Sequence, residues 1–509
     1  MGALTSKPYA FTSRSWELKS VESIDIFDSY MSSVRYDYRG DSILRVLPVL
    51  NSNLNQEWIS DKVRFFYDAL DYQRLNSPWV RYSLLINYLY YNFSFFFERV
   101  IEPFSLPVGW SYALEIVRNT FSNIFKFYSM GSFNFYGFLG SFNDLKTVMY
   151  FKHLLNLVGN NFLQSGLIST EPSGYIETDS RDSFIFNQKG FFLKSGVILI
   201  GFNPRYESPI LNIRIRDAFL NRKFKLYSIG ANFITNYFVC NVGSTILTLI
   251  KYISGRNFLS LSWIEKNISI LVGSSIFKFK NFYRVLREHF TGQDVFTFMP
   301  YASSLAYCEI NSYPNQIGNI ENHSTVFYNL SNDNLNVDSK LLLNFDNFLI
   351  SNSKLFLNSI FHVYQGSHGD LGALNAHLIL PSATHTESNT SYVNVLGKLK
   401  SSRLVLYPIL SLVRSNISIL KSILPLIKMN LNFLPLTMSN FNEAETNDIT
   451  SQFYYQPCIL SQFAIFSFYP FVLLQSFVNE FYLTDSLTRA SKNLTIASLR
   501  GKFKSINFI

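Results

Sequence analysis

The sequence predicts an α/β fold with βαβ units, preceded by short strands, turns and a helix at the start. Three observations carry this. The run Ser195-Gly196-Val197-Ile198-Leu199-Ile200-Gly201 is short and apolar, and a loop, a helical pattern and a second strand-like run follow it. That order implies parallel strands joined by a crossover helix. The same style returns after residue 350, where Leu355 to Val363, a glycine-rich loop and Leu378 to Pro381 succeed one another. Finally, 48% of the 509 residues are apolar and only 16% are charged, so there is ample apolar surface to offset the entropy of ordering the chain.

Residues 1–81 are the most polar and read as a small β/α region. Ile24, Ile26 and Phe27 lead into Arg35-Tyr36-Asp37-Tyr38-Arg39-Gly40-Asp41. This predicts a hairpin turned at Gly40-Asp41, with Ile43 to Val49 as the return strand. Asn53 or Asn55 is placed to cap a helix through Trp58, Val63 and Phe66. Residues 82–350 read as an α/β domain. Within it, 82–180 alternates apolar segments with Gly/Ser/Asn breaks, and Glu171-Pro172-Ser173-Gly174 marks a turn. Its clearest part is the βαβ unit at 195–230. There Ser208 suits a helix cap and Pro209 a first helical turn. Leu211, Ile215, Ala218 and Phe219 share one helix face, and Lys225 to Gly230 is the next strand. Ligands in such folds sit at the carboxyl ends of strands, so Asn203, Pro204, Arg205 and Glu207 lie where a cofactor would bind. Residues 310–347, rich in Asn, Ser and Asp, read as a linker or long surface loop. Residues 351–509 form a second α/β portion with a C-terminal tail.

Charge and cysteine content exclude several classes. The net charge of +9 is spread along the chain, whereas a nucleic-acid binder clusters its charge on one face. Cys240, Cys308 and Cys458 are widely separated and odd in number. Neither a disulfide framework nor a four-cysteine iron–sulfur site can be built from them. The first thirty residues lack the apolar stretch of a secretory signal, and Glu17, Glu22, Asp25 and Asp28 interrupt any transit-peptide pattern. Gln456 to Asn479 carries no charge and approaches the spanning length. Its glutamines and Pro470 favour a buried helix or strand pair inside a larger assembly. The 50 Phe and 31 Tyr residues share AT-rich codons with Asn, Ile and Lys, which suits a small AT-rich genome such as an organelle's.

His362, His368, His377 and His385 gather near Asp370 and Glu387. Imidazoles and a carboxylate are capable of holding zinc or iron. No pair has the i, i+4 spacing of a helical metal face, so the cluster reads as a loop with hydrogen-bonding histidines and no metal is assigned. Gly366, Gly369 and Gly372 recur every third residue. Such a loop can offer backbone N–H groups to an anion, but it lacks the Lys-Ser/Thr pair of a phosphate loop, and glycines that permit a tight turn explain it equally well. The sequence supports no Ser/His/Asp or Cys/His assignment, so no catalytic residue is assigned.

Several segments together resemble the large iron–sulfur subunits of mitochondrial respiratory complex I. They are Gly2 to Leu18, Glu22 to Asp25, Asn55 to Phe65, Gln73-Arg74-Leu75 with Pro78, and Gly201 to Pro209. Val363 to Asp370, Ile379 to Pro381, Thr386-Glu387, Tyr392 to Asn394 with Gly397, and Phe481 to Leu487 complete the set. The resemblance implies a molybdopterin-oxidoreductase-like fold of layered α/β domains with a small β-rich region at the start. In catalytic relatives of that fold the loops holding Asn203, Pro204, Arg205 and Glu207, and Gly366, His368, Gly369 and Asp370, would face a molybdenum–pterin cofactor. The mitochondrial members imply the fold without the cofactor, so both loops are expected to be vestigial.

Met1 stands where the family's cluster-bearing half would join, which implies the carboxyl-terminal half of a divided subunit. On this reading the chain binds no cofactor. Iron–sulfur clusters belong to the amino-terminal partner fragment, and Gly2, Ala3, Leu4, Lys7, Tyr9 and Phe11 pack beside its last cluster. Other partners are the peripheral-arm subunits of complex I, with membrane contact only through the complex and no nucleic acid. The implied place is the mitochondrion, on the matrix side of the inner membrane, with a mitochondrial gene. A molybdopterin-dependent oxidoreductase and an integral membrane protein remain the alternatives.

Overall fold

The protein's computed structural model describes residues 5–81, 105–128, 134–140, 142–158, 163–165, 185–222, 224–253, 268–273, 276, 294–299, 301–302, 305, 325–330, 361–369, 373, 376–408, 412–431, 473–474 and 480–506. In chain order the strands are β1 (Lys19–Ile24), β2 (Ser33–Arg39), β3 (Ser42–Pro48), β4 (Trp79–Arg81), β5 (Ser105–Pro107), β6 (Asn134–Leu139), β7 (Leu163–Ser165), β8 (Gly196–Ile200), β9 (Lys225–Ile229), β10 (Cys240–Gly243), β11 (Ile268–Gly273), β12 (Val295–Phe298), β13 (Thr325–Leu330), β14 (Phe361–Gly366), β15 (Leu378–Pro381), β16 (Ser391–Val393) and β17 (Leu399–Ser401). The helices are α1 (Asp61–Phe65), α2 (Trp110–Tyr128), α3 (Leu145–Val158), α4 (Gln188–Leu193), α5 (Pro204–Glu207), α6 (Pro209–Arg222), α7 (Ile246–Ile253), α8 (Asn416–Leu431), α9 (Ser486–Ala490) and α10 (Lys492–Ile506).

The amino-terminal unit is the antiparallel meander β1-β2-β3. Its hairpin turns where the sequence placed it. Gly40 takes φ +59° between the last pair, Arg39 and Ser42, a conformation that glycine adopts without a Cβ penalty. Val34, Tyr36, Ile43 and Val46 point into a core shared with Phe27 and Phe66. The helix expected through Trp58 is shorter. Ser60 caps α1, its hydroxyl accepting from Val63 N at 3.3 Å, and a 3-10 turn continues from Phe66 to Asp71. Asn55 is no cap. Its side chain accepts from Ser33 N and donates to the Val49 and Trp58 carbonyls, clamping β2 to the chain after β3.

The βαβ unit is as the sequence predicts. β8 and β9 are parallel and α6 crosses between them, with Leu211, Ile215 and Ala218 buried. They belong to a fully parallel sheet, order β10-β9-β8-β11-β12. Every residue of β8 and β11 is buried, because helices and loops cover both faces. Val197 and Leu199 meet α6 on one face, while Ile198 and Ile200 meet α7 on the other.

A second sheet has the order β5-β4-β15-β14-β13-β6-β7. β15, β14, β13, β6 and β7 run parallel, and β4 and β5 add an antiparallel edge. Its strands come from all three stretches divided at residues 81 and 350. The stretch 310–347, expected to be a linker, supplies β13 to the middle of this sheet; its other residues lie outside the described ones. The strand expected from Leu355 is described from Phe361. α8 packs on α2 and α3. The C-terminal helices return to the start of the chain: Leu487, Ala490 and Leu494 join the meander's core, and Asp68 accepts from Ser491 Oγ and Asn493 N. Among the described residues no helix is long and apolar enough to cross a membrane. Tyr82 to Phe97, Glu171 to Gly174, and most of Gln456 to Asn479 lie outside the described residues.

Candidate functional site: two loops at strand ends

The first loop leaves β8 at Gly201, whose φ is +57°. Asn203 caps α5, its Oδ1 accepting from Arg205 N at 3.1 Å. Pro204 starts that helix and is buried. Glu207 is buried and folds back, accepting from Asn203 N at 3.3 Å. Arg205 turns outward and donates to the Ile234 carbonyl. Asn203, Pro204 and Glu207 therefore cap, start and staple their own loop, and Arg205 ties it to the loop after β9.

This loop sits at the switch point of the parallel sheet, where β8 neighbours both β9 and β11. A ligand crevice is expected there. Instead the backbones touch. A Cβ on Gly273, at the end of β11, would lie 2.4 Å from the Gly201 carbonyl oxygen and 3.1 Å from Phe202 Cα. On the β9 side, Leu474 arrives from far along the chain. Its carbonyl accepts from Ala231 N at 2.8 Å, its N–H donates to Ser244 O at 2.9 Å, and its side chain is buried. A Cβ on Gly230 would lie 3.0 Å from the Leu474 carbonyl oxygen. The space left among Gly201, Asn203, Gly230, Asn232 and Leu474 is about 30 Å³. That admits about one water; organic ligands need roughly 300–1,000 Å³.

The amino-terminal unit anchors the first loop from below. Ser208, the cap of α6, donates to Asp28 Oδ1 at 3.2 Å. Asp28 and Asp25 are fully buried with Lys62 near them. Burial pushes the Asp28 carboxyl up to about 6, against hydrogen bonds from Tyr30 N and Ser208 and the Lys62 charge. Burial, and then the Asp28 charge, push Asp25 up to about 8.

The second loop follows β14. Gln365 donates to Asn416 Oδ1 at 2.8 Å, and the Gly366 carbonyl accepts from Ser382 N at 2.9 Å. Residues 73–75 run antiparallel across the loop: Leu75 N donates to Ser367 O at 3.0 Å, and Gly369 N donates to Gln73 O at 2.9 Å. His368 is fully buried. Its Nε2 lies 3.0 Å from the Ala69 carbonyl and its Nδ1 lies 2.9 Å from Ser367 Oγ. A carbonyl only accepts, so Nε2 carries the proton and Nδ1 accepts from the serine. Burial, and then the Arg74 charge, push the imidazole down to about 3, so it is neutral. Arg74 pairs with Glu387 behind it, both side chains nearly buried. Asp370 lies outside the described residues.

Thus Asn203, Pro204, Glu207, Gly366, His368 and Gly369 all sit at strand ends, and the described contacts of Asn203, Glu207 and His368 are made within the chain. Sequence reading missed Asp25, Asp28, Lys62 and Leu474. The two aspartates carried a faint signal, since Asp25 and Asp28 lie among Ile24, Ile26 and Phe27. His385 is also buried, and burial pushes it down to about 3. Among the described residues no group of three His, Cys, Asp or Glu is arranged to hold a metal ion.

At the amino terminus, Gly2, Ala3 and Leu4 lie outside the described residues. Lys7 is exposed. The Tyr9 ring lies under the Arg45 guanidinium, 4.8 Å from its centroid. Phe11 takes φ +62° and is fully exposed.

Two family models match the chain: molybdopterin oxidoreductase over residues 74–424, and the NADH-ubiquinone oxidoreductase NDSU1/NuoG-like 4Fe-4S domain over residues 18–68. The 75 kDa subunit of NADH-ubiquinone oxidoreductase from Acanthamoeba castellanii is 32% identical, covering all of this chain and 70% of the relative. The same subunit from Reclinomonas americana is 32% identical over 80% of this chain and 57% of the relative. The mitochondrial 78 kDa subunit from Candida albicans is 31% identical over 80% and 52%. The chain thus spans between about half and 70% of the length of these relatives.

The groups these names imply do not fit the residues present. Residues 18–68 contain no cysteine and no histidine, so this stretch offers no thiolate ligand, and apolar side chains pack its interior. Among the described residues, Gly273 and Leu474 crowd the strand-end mouth where a pterin would enter. With two thirds of its length matched by one family model and a relative aligned along its whole length, the chain belongs to the molybdopterin oxidoreductase family and, within it, to the 75 kDa subunits of NADH-ubiquinone oxidoreductase.

Proposed function

We propose that this chain is a non-redox scaffold in the peripheral arm of respiratory complex I. It supports electron transfer from NADH to ubiquinone through iron–sulfur clusters held on a partner chain. The observation that carries this reading is the closure of both strand-end loops by the chain's own segments, 473–474 over the first and 73–75 over the second. The three cysteines of these 509 residues cannot complete a four-cysteine site, which supports placing the clusters elsewhere.

The amino terminus supplies the contact with the cluster-bearing partner. Phe11 and Trp16 are exposed and Tyr9 is held on Arg45. Cluster potentials depend on solvent access and on hydrogen bonds to sulfur. Phe11 would exclude water there, and Lys7 would add positive charge. The relative named as mitochondrial supports a mitochondrial location. Matrix side and mitochondrial gene are part of the same reading, the latter supported by the Phe- and Tyr-rich composition.

The test is purification of the NADH–ubiquinone oxidoreductase of the source organism, followed by peptide mass spectrometry. The chain is expected at one copy per complex. A complete, active complex without it would contradict the proposal. Alkaline carbonate is expected to release the chain from membranes; retention in the pellet would instead support an integral protein.

A further inference from the structure

The outer face of the first crossover carries exposed apolar side chains set among arginines. Along α6, Asn212, Arg216, Phe219 and Leu220 fall at i, i+4, i+7 and i+8, one stripe of the helix. The loop between β9 and β10 is fastened to that stripe. Tyr237 donates its hydroxyl to Asn212 Oδ1 at 2.6 Å, and its ring centroid lies 6.0 Å from that of Phe219. Thr235 Oγ1 donates to the Tyr237 carbonyl at 2.7 Å, and Arg205 Nη1 donates to the Ile234 carbonyl at 3.2 Å. So held, the loop presents Ile234 and Phe238 at 81% and 73% exposure, with Leu220 on the helix at 63%. Large apolar side chains grouped on a fixed surface mark a contact for a partner.

The surrounding charge says which kind. Between residues 205 and 240 the sequence has six basic residues and two acids, Glu207 and Asp217, and Glu207 is buried. Arg205, Arg216 and Arg222 are exposed. We propose that this face docks another polypeptide whose surface sets an apolar centre within acidic side chains. Phe238 and Ile234 are the anchors, and the arginines select and orient the partner by charge. A second copy of this chain would bring arginines against arginines. A bilayer is best met by one free amphipathic helix, whereas these side chains come from a helix and a hydrogen-bonded loop of fixed shape. The inference rests on the chain being a subunit of a larger assembly, and it adds where and to what chemistry it binds.

A photo-crosslinking amino acid in place of Phe238, in the full chain expressed in its own organism, tests this by mass spectrometry of the crosslinked peptides. The expected product joins position 238 to an acidic segment of another complex I polypeptide. The double substitution Arg216→Glu with Arg222→Glu is expected to lower its yield at least about tenfold, while Arg216→Lys with Arg222→Lys keeps it. An acidic partner outside complex I would support the docking face and overturn the assembly reading. A crosslink to a second copy, to lipid, to a basic segment, or none at all overturns the docking proposal.

Discussion

The loops after β8 and after β14 close the same kind of mouth by different physics. The first is closed sterically: two glycine backbones meet at the switch point and Leu474 fills the side facing β9. Its anchor to the amino-terminal unit is a buried carboxylate, Asp28, beneath the Ser208 cap. The second is closed by a crossing chain segment and held by a neutral imidazole backed by an ion pair. The contrast teaches that two strand-end loops of one chain can be packed by its own segments through unrelated kinds of contact. In the first loop Glu207 and Ser208 bond to Asn203 N and Asp28, and in the second His368 bonds to the Ala69 carbonyl.

The largest effect should fall on the second loop. Arg74→Ala leaves Glu387 nearly buried and without its cation, and removing one partner of such a pair costs about 3–5 kcal/mol. Denaturant unfolding of the full chain measures it. Gly273→Ala comes next. Its Cβ would meet backbone at 2.4 Å, which neither loop can yield cheaply, and a loss of about 2–3 kcal/mol is expected.

The two anchors should also respond to pH with opposite signs. His368 is held far below its unfolded value of 6.5. Its contribution is present above that value and is lost as pH falls from 6.5 toward 3. Asp28 and Asp25 are held above 3.8. Their contribution is complete below 3.8 and is lost as pH rises through about 6 and about 8. Hydrogen exchange at Leu75 and Gly369 should therefore show reduced protection at pH 5 relative to pH 7, and Leu211 and Asn212 should not. Asp25→Asn keeps an acceptor for Phe27 N and removes the ionisation, so its thermal midpoint should rise over the wild type at pH 8 and converge with it at low pH. The smallest effect is Gly369→Ala. The added Cβ would lie 3.6 Å from Leu75, an ordinary contact, and a change within about 0.5 kcal/mol is expected.

How legible the molecule was in its sequence follows from the range of each interaction. The Gly40 turn, β8, the Ser208 cap and α6 rest on neighbours a few residues apart, and all were readable. Asn55 was misread because Asn before an apolar run signals a cap, while its main-chain partner Ser33 lies 22 residues away. β13 was hidden by the polar composition around it, although Thr325-Val326-Phe327-Tyr328 is a β-favouring run. Leu474 sits over β9 and β10 through hydrogen bonds to Ala231 and Ser244, and no local pattern announces such a plug. The strand-end position of both loops was therefore predictable, and their closure was not.

We propose that the chain's own segments seal both strand-end mouths. Elemental and pterin analysis of the purified full chain tests it most directly. No molybdenum, tungsten or pterin is expected above background; one metal and one pterin per chain would contradict a sealed site.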